Sequence, residues 1–482
     1  MVARGYVEST PVSRVHPRAR WDDRQHESRP SHCRVRPVLK TPVPRARSWR
    51  RRVHGAPPAW RADAVGDAPD EDALRGAPGR SSRDGRVLVL SAPVGEGHDA
   101  AGRALVDELR SAGLRAEMTD GLSVLGPRLT RAVVRGYRLQ LRHAVWSWGV
   151  LYALTRSRFV FRVVGFAIAL YGGRRLLDEI HARGADRVVS TYPLVSAALA
   201  SLRRRGKLTV ACASLITDFD LHPAWCHRDL DTNLSVVPGP HATSVAPPLQ
   251  SGDGSAPDRH AVRRDLGIAP ATRVVIISGG AWGVGSLRAA AATVASLPGF
   301  HAIVVTGRNE PLHRQLSEEL RGRATVLGYV DGLAGFLPVA DVVIQHAGGV
   351  TCLEAFAASR PVVMFDPLPG HGRRNARRMQ AAGLSATAAT SAALRSLLTS
   401  PGYWATVAPA SVAAGLALFS RTTAGGAVAA IELRAPRTSH RGPAWHSGVA
   451  RTAAVVGLCA VLLLARALGA HLSDPDVAFL LV

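Results

Sequence analysis

Residues 346 to 357 read HAGGVTCLEAFA, with Gly348 and Gly349 followed by Thr351 and, three residues on, Glu354. The run follows DVVIQ and precedes SRPVVMFDPLPG, so it marks strand, tight turn, helix and strand. Glycines at such a junction let the backbone turn sharply. They also let an anion approach the unsatisfied N–H groups of a helix start. A carboxylate one turn into that helix can accept hydrogen bonds from hydroxyls. Ser278, Gly279 and Gly280 in RVVIISGGAWGVG form a second glycine loop in the same half of the chain, so both loops can converge on one diphosphate. In the first half, PVGEGHDAAGRALVDELRSAG brings Gly95, Gly97 and His98 to a helix start, with Asp99 as the expected N-cap. A histidine there can act as a general base at neutral pH; a turn histidine without a role is the plain alternative. TDFDLHPAWCHRDLD gathers Asp218, His222, Trp225, His227 and Asp231 at another strand's carboxyl end, where open α/β sheets bind ligands. No zinc spacing links these residues or the five scattered cysteines, so no metal is expected and reduced thiols are.

The elements that must position these residues alternate. RVLVLSA, DRVVST and KLTVACASLIT are buried-strand runs in the first half, separated by helical stretches. RVVIIS, HAIVVTG, ATVLGYV, DVVIQ and PVVMF repeat the plan in the second. Strands alternating with helices predict parallel sheets. A chain of 482 residues exceeds one ordinary core. The expected organisation is therefore two doubly wound, Rossmann-like α/β domains facing across a cleft. Residues 85–240 form the first, 241–262 a Pro/Gly/Ser-rich linker and 263–435 the second. Residues 1–84, with RARSWRRR and no periodicity, read as a disordered basic tail carrying +8, and no apolar leader follows Met1.

In this order GEGH, TDFDLHPAW, SGGAWGVG, HAGGVTCLEA and PLPGHGRRN resemble the monogalactosyldiacylglycerol synthase family, relatives of the peptidoglycan lipid-intermediate N-acetylglucosaminyltransferase, over residues 86–435. The resemblance implies the GT-B fold, a lipid acceptor at the first domain and a UDP-sugar at the second. It implies that Glu354 binds the UDP ribose, that Gly348, Gly349, Thr351, Ser278, Gly279 and Gly280 line the diphosphate, and that Asn375 lies near the donor sugar. It implies His98 as the general base of an inverting hexosyl transfer, with Asp218 and His222 as rival bases or acceptor orienters. No cofactor beyond the donor substrate is implied. The family often reads Gln-Glu after the Pro-Gly, whereas His371 and Gly372 follow Gly370 here, which leaves the hexose open.

The formal charge of +24 and pI near 11.3 point to an anionic partner. An anionic membrane surface is expected, and no specific nucleic acid. Residues 122 to 172 interleave Arg156, Arg158 and Arg162 with aromatic and apolar residues, a pattern suited to helices in a bilayer interface. TAAVVGLCAVLLLA (452–465) covers about 21 Å as a helix, short of a bilayer core unless flanking arginines snorkel. It reads as a membrane helix in the tail 436–482, with Arg437, Arg441 and Arg451 keeping the enzyme on the cytoplasmic face, peripheral or anchored. Two other classes fit the same features: a UDP-N-acetylglucosamine 2-epimerase-like enzyme, and a non-catalytic basic protein binding membrane or nucleic acid.

Overall fold

The computed structural model describes residues 85–250 and 258–431. The tail 1–84 and the apolar segment 452–465 lie outside the described residues. The first half runs β1 (Arg86–Ser91), α1 (Gly97–Ser111), β2 (Arg115–Asp120), α2 (Gly121–Leu125), α3 (Pro127–His143), α4 (Val145–Leu154), α5 (Arg158–Ala182), β3 (Arg187–Ser190), α6 (Pro193–Arg204), β4 (Ala211–Ile216), β5 (Thr232–Ser235) and β6 (Thr243–Ser244). Its six strands are all parallel in the order β2-β1-β3-β4-β5-β6.

The second half runs α7 (Arg259–Asp265), β7 (Arg273–Ser278), α8 (Leu287–Ala295), β8 (Phe300–Val305), α9 (Glu310–Glu319), β9 (Ala324–Leu327), α10 (Leu333–Phe336), β10 (Val342–Gln345), α11 (Val350–Ala357), β11 (Val362–Phe365), α12 (His371–Ala381) and β12 (Ser385–Ala388). Helices α13 (Ser391–Thr399), α14 (Ala408–Ala417) and α15 (Ala424–Ala429) follow. This sheet is also six-stranded and parallel, in the order β12-β11-β10-β7-β8-β9.

The central strands are continuous apolar runs because helices cover both sheet faces. β1 buries five of its six residues, and β10 and β11 bury all four of theirs. One face of the first sheet packs Leu88, Leu90 and Val188 against Leu122, Leu176 and Leu199 of α2, α5 and α6. The other packs Val87 and Val89 against Leu105 and Leu109 of α1. Helix α5 approaches so closely that a Cβ at Gly172 would lie 2.1 Å from the Leu125 carbonyl oxygen, so only glycine fits there.

Three short strands and the last helix add to the expected elements. β5 and β6 lack long apolar runs, yet they extend the first sheet, and β6 falls inside the expected linker. β12, a short SATA segment, completes the second sheet. The last helix returns to the first domain: Ala424 and Val428 of α15 join the core of α1, and the Gly425 amide donates to Glu108 (2.8 Å). A domain boundary near 435 therefore describes the order of the chain and not its packing.

The segment expected to lie in an interface forms α2 to α5 and leaves Trp146, Val150, Leu154 and Phe159 exposed. Among the described residues one helical run, Tyr403–Ser420, is long and apolar enough to cross a membrane by length and composition. It also packs within the fold: Gly415 lies so close to Phe356 of α11 that an added Cβ would clash.

Candidate functional site

Strand order reverses at two places, between β1 and β3 and between β7 and β10. Crevices at such reversals, beyond the carboxyl ends of the strands, are where doubly wound sheets bind ligands. The loop after β1 leads to His98 at the start of α1, β7 ends at Ser278 with Gly279 and Gly280 in the loop beyond it, and the loop after β10 carries Gly348 and Gly349. All of these residues line one cavity of about 1500 Å³, together with Asp218, His222, Thr351, Glu354 and His371.

The donor-side loops have the conformations their glycines permit. Gly348 and Gly349 sit at φ 86° and 81°, and Gly349 is the N-cap of α11. A side chain at Gly279 would come within 2.8 Å of the Val284 amide nitrogen. The Ser278 hydroxyl accepts from the Gly280 amide (3.2 Å) and closes the loop on itself. Glu354 sits one turn into α11, half-buried, with no hydrogen-bond partner among the described residues. Burial alone pushes its carboxyl up to about 7. A carboxylate held in that state is set to accept donors from a ligand.

His98 stands near the start of α1. Glu96, at φ 63°, is the N-cap, so Asp99 lies in the first turn and pairs with the Ser91 hydroxyl instead of capping. The His98 ring lies 5.1 Å from Tyr192 and 5.5 Å from Trp225, and its Nδ1 is 3.4 Å from the Thr217 hydroxyl. Burial lowers its pKa below the usual 6.5, with the Asp218 carboxylate pulling the other way. The ring is therefore neutral at pH 7 and able to take a proton.

The other histidines separate by their bonding. Nδ1 of His222 accepts from the Ala224 amide (3.1 Å), and Nε2 faces the Tyr152 carbonyl (3.2 Å), which fixes the proton on Nε2. Both nitrogens are engaged, so His222, at the cavity wall, braces α4. His227 caps the Ala224 carbonyl (2.8 Å), and Asp231 holds the Cys212 amide and Arg203, so these members of the cluster are structural. His371 Nδ1 accepts from the Trp148 indole N–H (2.7 Å), which ties the start of α12 in the second domain to α4 of the first.

Asn375 is wholly buried and is not among the residues lining the cavity. Its carboxamide oxygen accepts from the Phe219 and Asp220 amides (3.1 and 2.9 Å). Its nitrogen donates to Asp218 Oδ1 (3.1 Å) and to the Ala347 carbonyl (3.0 Å). Asn375 packs beside Gly348 of the donor-side loop and forms a clasp across the two domains, one that holds Asp218. Four hydrogen bonds saturate the amide and leave it nothing to offer a sugar.

Several residues at the cleft were not singled out from sequence. Glu96 meets Arg308 and the Tyr329 hydroxyl (2.8 Å) across the domains, and the Arg308 guanidinium lies over the Tyr329 ring (3.9 Å). Tyr137 of α3 reaches Trp282 in the glycine loop (5.5 Å), and Arg138 stacks on the same indole (4.8 Å). Asp220 is a buried hub for Tyr152 (2.9 Å) and Arg156 (3.2 Å). Trp282 stood in plain view inside SGGAWGVG; the others carry no local signal. Among the described residues no group of three or more His, Cys, Asp or Glu could hold a metal ion, and Cys212, Cys226 and Cys352 are free thiols.

Comparison with known proteins matches both halves. Residues 98–238 match the family model for monogalactosyldiacylglycerol (MGDG) synthase, and residues 274–398 match the glycosyltransferase family 28 C-terminal domain. Processive diacylglycerol beta-glucosyltransferases of Bacillus cereus (strain AH187) and Bacillus anthracis (strain CDC 684 / NRRL 3495) are each 24% identical over 315 residues, covering 62% of this chain and 80% of theirs. The spinosyn rhamnosyltransferase SpnG shares the fold, with a TM-score of 0.51 and 18% identity, covering 71% of this chain and 98% of that one.

Proposed function

We propose that this chain, whose two halves match the MGDG synthase and glycosyltransferase family 28 models, is a glycosyltransferase of that kind that transfers a hexose, with inversion, from a UDP-sugar to diacylglycerol. One observation carries the reading: a single cavity joins a neutral histidine beside a carboxylate on the first domain to an unpartnered carboxyl and two glycine loops on the second. Glu354 accepts the ribose hydroxyls. The N–H groups at the start of α11 and in the 278–280 loop hold the diphosphate. The acceptor oxygen attacks the anomeric carbon as His98 takes its proton. The bond to the diphosphate breaks, and its electron pair leaves on UDP, stabilised by those fixed N–H groups. This chemistry calls on no metal or other cofactor. Asp218, held by Asn375, raises the proton affinity of His98 through its charge.

The acceptor class comes from the curated relatives, whose names specify diacylglycerol and glucose. The described region with its immediate flank, residues 85–435, carries +14, a charge that suits the anionic cytoplasmic leaflet. The test is incubation of the full chain with labelled UDP-glucose or UDP-galactose and phosphatidylglycerol vesicles containing diacylglycerol. The expected product is a labelled glycolipid with the anomeric configuration opposite to the donor. UDP binding without any labelled lipid from either donor would reject the transferase reading.

A further inference from the structure

The cavity is larger than its polar chemistry needs. Ordinary small-molecule pockets span about 300–1,000 Å³, whereas this one reaches about 1500 Å³. The excess lies against α3, α4 and α5. Among the described residues between Leu129 and Ile168, no charged one lines the cavity. Three polar side chains on that wall are already paired: Gln140 donates to Ser147 (2.9 Å), Ser147 to the Ala144 carbonyl (2.7 Å) and Thr155 to the Leu151 carbonyl (2.8 Å). On α5, Val160, Val164, Ala167 and Ile168 follow helical spacing and line the same space, a stripe about 12 Å long. A wall of hydrocarbon has nothing to offer water, and left empty it forfeits dispersion contacts.

We propose that this arm, walled by α3, α4 and α5, seats an acyl chain of the acceptor lipid. The inference rests on the lipid-acceptor reading above and adds where the hydrocarbon goes. The arm is continuous with His98 and Asp218, so a chain lying in it keeps the glycerol hydroxyl tethered near the base. It also reaches Trp146 and Phe159, which are 61% and 72% exposed at the surface of α4 and α5. Aromatic side chains so placed suit the boundary between a bilayer and water. The lipid thereby enters sideways from the membrane, with its chain passing between helices.

The test uses the full chain, UDP-glucose and UDP-galactose, and monomeric dibutanoyl-, dihexanoyl- and dioctanoyl-glycerol. Each methylene taken up by the arm should lower KM about fourfold (about 0.8 kcal/mol). Ala167→Phe and Val160→Trp fill the arm from α5. They should raise KM for the dioctanoyl acceptor at least tenfold, leave the dibutanoyl acceptor within about twofold and leave UDP affinity unchanged. In the unmodified protein, a diazirine placed along a decanoyl chain of diacylglycerol should crosslink to α3, α4 or α5. Parallel chain-length profiles in variant and wild type, or adducts confined to other surfaces such as the helical run 403–420, would overturn the proposal. Adducts in the arm with no hexose transfer to any acylglycerol would keep the seat and remove the transferase reading. Transfer that ignores chain length would do the reverse.

Discussion

Replacing Glu354 by glutamine should stabilise the protein and weaken its ligand binding at once. Burial lifts the carboxyl from its ordinary 4.5 to about 7. Keeping it ionised in the empty site therefore costs about 3 kcal/mol at 1.36 kcal/mol per tenfold change in proton affinity. The folded-state value lies above the unfolded one, so the folded state binds the extra proton between those values and loses stability as pH rises through that window. Glutamine carries no such charge. The advantage of Glu354→Gln over wild type should grow by about 2 kcal/mol between pH 5.5 and pH 8.5. Urea denaturation followed by tryptophan fluorescence reads this. In calorimetry, UDP binding to the wild type should release a proton near pH 7, because ribose hydroxyls favour the ionised carboxylate. The variant should bind UDP about 1.5 to 3 kcal/mol more weakly, the scale of hydrogen bonds to a charged group. Unchanged UDP affinity in the folded variant, or a stability difference independent of pH, would refute the placement of the nucleotide and the cause given for the shift.

His98→Ala should lower kcat about 10²- to 10⁴-fold, with UDP affinity little changed, and a loss of only a few fold would remove it as the base. At saturating donor, where Glu354 is already engaged, the acid limb of kcat should fall below pH 6.5, because burial lowers the His98 pKa. Asp218→Asn should move that limb lower still, since the carboxylate raises the same pKa; a limb that moves upward would contradict the electrostatics. Asn375→Ala strands the Phe219 and Asp220 amides and should destabilise the fold by about 2 to 4 kcal/mol, while the ratio of rates with UDP-glucose and UDP-galactose stays constant. Intact stability with an altered sugar ratio would return Asn375 to the donor pocket.

How much of this was legible along the chain follows from the range of the forces involved. Buried parallel strands must be apolar on both faces, so β1, β3, β4, β7, β8, β10 and β11, with the partly buried β9, were readable as short apolar runs between helical stretches. β5, β6 and β12 were not, because TNLS, TS and SATA carry no apolar run and only pairing with a neighbouring strand makes them part of a sheet. The glycine loops were also legible. A positive φ at Gly348 or Gly349 is a local requirement, and a strand end followed by a helix start makes an anion seat wherever it occurs. The resemblance of the motifs then supplied the roles of Glu354 and His98 that residue types alone left open.

The tertiary structure decided what each polar group is free to do. His222 and His98 are both histidines near strand ends. Only the fold shows that a carbonyl 70 residues away engages one, while the other borders the cavity. Asn375 matched a donor-sugar position by motif, yet its bonds run to Asp218 and to backbone more than 150 residues distant. His371 meets Trp148 across 223 residues, and α15 returns to the domain where the chain began. Local sequence encodes backbone conformation and apolar periodicity because both are settled within a few residues. Hydrogen-bond saturation, desolvation and the shape of a cavity depend on which distant segments meet, and only the packed domains determine that.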